Sequence, residues 1–134
     1  MALGGYVSSL EGSADTEIVS IGPDNPPCNK PANLPIKMLQ SQGAYVGGKA
    51  IICGDLGSYD CYTYSFEDSE WTKDVTLDSE RRLAASLLID EETWWLVGGL
   101  KELGPVYHTS TLVYKVRLDI LIILRIGKIL PTLS

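Results

Sequence analysis

A chain of 134 residues and 14.6 kDa has room for one domain around one hydrophobic core, which excludes a two-domain enzyme. Lys and Arg number 11 against 17 Asp and Glu, a net charge of −6 and a pI near 4.6, so nucleic acid is not an expected partner. At 45% hydrophobic and 21% charged residues, with 13 Gly and 7 Pro, the composition is that of a turn-rich globular protein.

Taken in chain order, the sequence is a series of short β-type runs separated by Gly, Pro, Asn and Asp, and no stretch keeps a helical apolar period over three turns. Ala2-Leu3-Gly4-Gly5 opens the chain with neither the basic nor the apolar region of a secretory signal, so no signal peptide is expected and both cytoplasmic and extracellular settings stay open. Thr16-Glu17-Ile18-Val19-Ser20 is the next run, followed by Cys28, Pro31 and Leu34-Pro35. Gly43-Ala44-Tyr45-Val46, turned by Gly47-Gly48, leads into Ala50-Ile51-Ile52-Cys53-Gly54. Cys61-Tyr62-Thr63-Tyr64-Ser65 follows, then Trp71 and Leu77. Leu83 to Ile89, turned by Asp90-Glu91-Glu92, leads into Trp94-Trp95-Leu96-Val97-Gly98-Gly99, and Ser110 to Lys115 closes the aromatic part of the chain.

These runs repeat. Gly4, Gly54 and Gly98 are 50 and 44 residues apart, while Cys28 and Trp71, and again Leu34 and Leu77, are separated by 43. Each full block holds four apolar runs, which is the period of a supersecondary repeat. The unit resembles the kelch repeat: an apolar strand closed by a diglycine, a variable loop, a strand ending near Tyr, and a Trp some seven residues later. Gly54, Tyr64 and Trp71 follow that order, with Asp55 in place of the second glycine. Gly98, Gly99 and Tyr114 follow it again, with Leu121 where Trp would stand, and Gly4 and Gly5 mark a first block in which Cys28 takes the Trp position.

The resemblance implies an all-β fold, a partial kelch-type β-propeller of four-stranded antiparallel blades in an incomplete ring. Its parts would be a partial blade over 2–35, a full blade over 41–78 and a partial blade over 82–115. Glycines closing the second strand are expected where φ is positive or no side chain fits. The tail 116–134 holds 3 basic residues, 1 acidic and no aromatic one. It reads either as a poor outer strand through Ile120–Leu124 or as sequence foreign to the repeat. The run Ile120–Leu124 is five residues, too short for a transmembrane helix.

Sites for chemistry are sparse. One histidine, His108, cannot supply the several convergent ligands of a metal centre, and no Gly-x-Ser-x-Gly elbow is present, so neither catalytic residues nor a cofactor or metal is expected. Cys53 and Cys61 flank a seven-residue connection and form either a disulfide or two buried thiols. The expected function is therefore non-enzymatic: a protein-binding module, part of a larger propeller, with an extracellular structural or adhesive propeller held by a Cys53–Cys61 bond as the alternative. The resemblance places binding on the loops between second and third strands, 6–15, 55–60 and 100–109, together with Arg81 and Arg82. Tyr6, Ser58, Tyr59, Arg81, Arg82, Lys101 and His108 are the candidate partner contacts. The partner is a protein, and missing blades or self-association would cover the free ends.

Overall fold

The computed structural model describes residues 2–3, 6–8, 11–17, 30–55, 57–101, 106–116 and 120–124, the side chains of 2–3, 6–8 and 120–124 excepted. The fold is all-β. Among the described residues fourteen strands form antiparallel sheets, none of these sheets closes on itself, and no helix is long and apolar enough to cross a membrane.

The central sheet is a meander of β5 (Gln42–Val46), β6 (Lys49–Cys53), β7 (Asp60–Ser65) and β8 (Glu70–Thr76) in that spatial order. Gly47 and Gly48, at φ 55° and 79°, form the two-residue turn from β5 to β6, a backbone that side-chain-bearing residues rarely adopt. The second sheet repeats the plan with β9 (Ala85–Asp90), β10 (Thr93–Val97), β13 (Thr111–Lys115) and β14 (Ile120–Leu124). In the first block, β1 (Ala2–Leu3) pairs with β4 (Thr16–Glu17). Gly4, Gly5 and Cys28 lie outside the described residues.

The variable loop between second and third strands is itself structured. A two-stranded ribbon fills it in the first block, β2 (Tyr6–Ser8) with β3 (Glu11–Gly12), and in the last, β11 (Leu100–Lys101) with β12 (Val106–Tyr107). In the central block the same connection shrinks to a tight turn bridged by Asp55 and Ser58.

The registers coincide between blocks. Tyr64 lies opposite Trp71 across β7 and β8, and Tyr114 lies opposite Leu121 across β13 and β14. The outer strand therefore forms without a Trp, and Ile120–Leu124 is the fourth strand of the second sheet.

Alternation in β6 explains its unbroken apolar sequence. Ile51 and Cys53 pack toward the second sheet with Cys61, Trp94, Leu96, Leu112 and Tyr114. Ala50 and Ile52 pack the opposite way with Tyr62, Tyr64 and Trp71 against Leu34 of the first block and Met38 of the connection that follows it. A strand buried on both faces has no polar side to show. The small gap lined by Cys53, Leu77, Trp94, Leu96, Leu112 and Tyr114 is apolar and has no room for water.

Trp71 joins two blocks: its ring lies 5.1 Å from that of Tyr64, and its Nε1–H donates to Ala32 O at 2.9 Å. Truncation Trp71→Ala removes a buried aromatic and should cost about 3–5 kcal/mol in urea unfolding; a loss below about 1 kcal/mol would contradict this packing. Truncation after Lys115 deletes β14 and leaves the outer edge of β13 unpaired. Light scattering should show more association than for the full chain, since an open edge templates pairing.

Candidate functional site

At one end of the two large sheets, the segment before β9 is wedged between the glycine-bearing strand ends. A Cβ on Gly54, whose φ is +73°, would lie 1.9 Å from Arg81 O, and one on Gly99, at φ +99°, would lie 2.9 Å from Arg82 O. Both positions demand glycine by conformation and by space. The backbone of Arg82 then exchanges hydrogen bonds with Leu100, its N–H donating at 3.2 Å and its carbonyl accepting at 2.8 Å. Asp55, standing where a diglycine would have its second member, is buried and accepts from Leu39 N–H at 2.6 Å, which ties the connection before β5 to the same end. Its carboxylate explains the departure from the diglycine pattern.

The side chain of Arg81 is 1% exposed and spends its donors inward. Nη1 donates to the carbonyls of Gly98 and Ser110, the latter at 2.9 Å, and Nη2 donates to Ser110 Oγ at 2.7 Å. Nη2 also donates to His108 Nδ1 at 3.2 Å. A guanidinium cannot accept, so Nδ1 is the unprotonated nitrogen and Nε2–H donates to Glu80 O at 2.7 Å. Burial lowers the Arg81 pKa, with Asp78 opposing it. Burial is also the main cause that lowers the His108 pKa; the Glu80 carbonyl raises it, the Arg81 and Lys101 charges lower it further, and Asp78 raises it.

The nominated contacts therefore divide. Arg81, Arg82 and His108 are buried and bind the protein's own backbone and side chains, with Arg82 Nη1 on Gln40 Oε1 at 3.1 Å and Arg82 Nε 3.5 Å from Glu80 Oε1. Ser58 and Lys101 are half-buried, and Tyr59 is exposed. Tyr6 lies in β2, with its side chain outside the described residues. Sequence reasoning passed over Val106 and Tyr107, of which Tyr107 is 66% exposed, and Leu83, also exposed. Their signal was a large apolar residue in or beside a connection that the resemblance already placed on this end. Tyr59 O accepts from Leu77 N–H at 2.6 Å, and Ser79 Oγ lies 3.4 Å from His108 Nε2, so residues 77–79 link the two aromatic loops.

Cys53 and Cys61, directly after the last register pair of β6 and β7, are joined by a disulfide with a Cα–Cα distance of 4.3 Å. The bond closes the short central loop at its base. Among the described residues no three His, Cys, Asp or Glu side chains converge as a metal site. Against known protein families and against curated proteins, the sequence finds no match.

The His108 geometry carries a pH dependence. The imidazole is neutral in the fold and its pKa lies below the unfolded value near 6.5, so the unfolded chain binds the proton more readily. The stability contributed is complete above about pH 6.5 and falls as pH drops below it toward the folded value. Urea melts between about pH 7.5 and about pH 5 should show this loss, and His108→Gln should flatten that limb; an unchanged slope would contradict the assignment.

Proposed function

We propose that this chain is a kelch-type blade array that binds a protein partner through the loop end built on Arg81, and that it has no catalytic role. The observation that carries this reading is the contrast at that end: Arg81 and His108 are spent on internal hydrogen bonds, while Tyr59, Val106 and Tyr107 project from the loops they hold. Exposed aromatics on a rigid frame give large contact area at low entropic cost, which suits an interface. Repeat period, matching Tyr64/Trp71 and Tyr114/Leu121 registers and the two glycine closures support the kelch resemblance. The disulfide supports an oxidising compartment for the module, and with it the alternative of an extracellular structural or adhesive array. Further blades or a second copy would cover the outward faces of the end sheets.

The two readings separate by a binding experiment. Immobilised full chain and the double variant Tyr59→Ala/Tyr107→Ala are compared for capture of soluble proteins, with melts confirming that both fold. A binding module retains a protein that the variant loses by about tenfold or more, the usual loss for two aromatic contacts. Equal capture by both proteins would remove the loop-end reading.

A further inference from the structure

The opposite end of the central sheet carries a second arrangement that the loop end does not explain. One rung runs across all four strands, with Tyr45 opposite Ala50, Ala50 opposite Tyr64 and Tyr64 opposite Trp71. The rung is buried at Ala50, Tyr64 and Trp71 and opens to solvent at Tyr45, which is 61% exposed. Ala50 is small and leaves a notch between the two tyrosines. Phe66, from the turn between β7 and β8, packs edge-on to both, its ring 5.1 Å from Tyr64 and 5.9 Å from Tyr45 at interplanar angles of 89° and 70°. Tyr64 is thereby covered, but Phe66 stays 44% exposed, and with Tyr45 it makes an open corner of two rings anchored on a buried aromatic row.

The surroundings of this corner are acidic. Glu67, Asp68 and Glu70 are exposed in the turn that carries Phe66 and at the start of β8. The turn between β9 and β10 meets the β5–β6 turn, since Gly47 N–H donates to Glu91 O at 2.7 Å, and it adds the exposed Asp90 and Glu91. Among the described residues Lys49 and Lys115 are the exposed cations on these same strand ends. Asp68 accepts from Ser65 Oγ at 2.8 Å, which fixes the turn, and Glu67 and Asp68 follow Phe66 directly in it.

We propose that the Tyr45–Phe66 corner is a docking site for an arginine-bearing basic segment of a partner protein. Carboxylates alone would make only a solvated face, and exposed rings alone would accept many apolar groups; together they select a cation with a flat, weakly hydrated surface. A guanidinium can stack on a ring face while its edge pairs with a carboxylate, which an ammonium does less well. The site is separate from the Tyr59–Tyr107 end and does not depend on it.

Fluorescence anisotropy of a labelled hexa-arginine peptide, titrated with the full chain at about 50 mM and about 150 mM salt, tests this. Hexa-arginine should bind at least about tenfold more tightly than hexa-glutamine or hexa-proline, and more tightly than hexa-lysine. The variant Tyr45→Ala/Phe66→Ala keeps the net charge and should weaken binding by about tenfold, with melts confirming the fold. Glu67→Gln/Glu70→Gln should weaken it several-fold, Glu11→Gln/Glu17→Gln should leave it within about twofold, and Tyr59→Ala/Tyr107→Ala should not change it. Equal losses from the two charge pairs with none from the aromatic pair would show attraction to net charge and overturn the proposal. Equal binding of hexa-proline would overturn it in favour of uncharged apolar stacking.

Discussion

The Arg81–Arg82 segment holds the two large sheets together at one end, and much of the remaining structure depends on that contact. Its backbone passes so close to Gly54 and Gly99 that neither glycine admits a methyl group. This approach lets Arg82 bridge to Leu100 and lets Arg81 reach Gly98 and Ser110 with its guanidinium. Burying an arginine is costly unless its donors are satisfied, and here carbonyls, a hydroxyl and a neutral imidazole accept from Nη1 and Nη2, while Nε has no hydrogen-bond partner among the described residues. The cost of desolvation is offset by fixing the start of β9, the β11–β12 ribbon and the end of β10 in one arrangement. A lysine could not do the same, because a compact ammonium lacks the planar fork that serves Gly98, Ser110 and His108 at once.

The two ends of the central sheet differ in kind for a simple physical reason. At the Arg81 end the segment from β8 to β9 crosses from one sheet to the next and is stapled by buried hydrogen bonds, while the Cys53–Cys61 bond closes the β6–β7 connection beside it. At the other end the connections are tight hairpin turns, of which 47–48, 66–69 and 91–92 close locally and leave their side chains to solvent. Glu67, Asp68 and Glu91 in these turns are exposed. Exposed aromatics at this end, Tyr45 on β5 and Phe66 on the β7–β8 turn, face water at a cost that a ligand could relieve.

Much of the fold was legible because each block repeats one pattern of strand and glycine. The spacing of Gly54, Tyr64 and Trp71 fixed the strand boundaries, since a sheet buried on both faces writes continuous apolar runs and a positive φ demands glycine. The tail was harder. Leu121 in place of Trp weakened the signal, yet its register opposite Tyr114 is set by hydrogen bonding along the backbone, which does not read side-chain type. The candidate site was only half legible. Proximity of Arg81, His108 and the loops followed from the repeat, but arginines read as surface contacts, because charged residues are seldom fully buried unless they are paired.

By itself, then, the sequence determined what is periodic and local: an all-β chain, its strands, the glycine closures and the pairing distance of Cys53 from Cys61. Tertiary structure decided everything that depends on which groups share a volume. It alone turned Arg81 and His108 inward, since burial is a property of the sheets packed around them and not of the residues. It alone set Phe66 against Tyr45 and Tyr64, because residues on separate strands and a turn become neighbours only when the ladder registers are fixed.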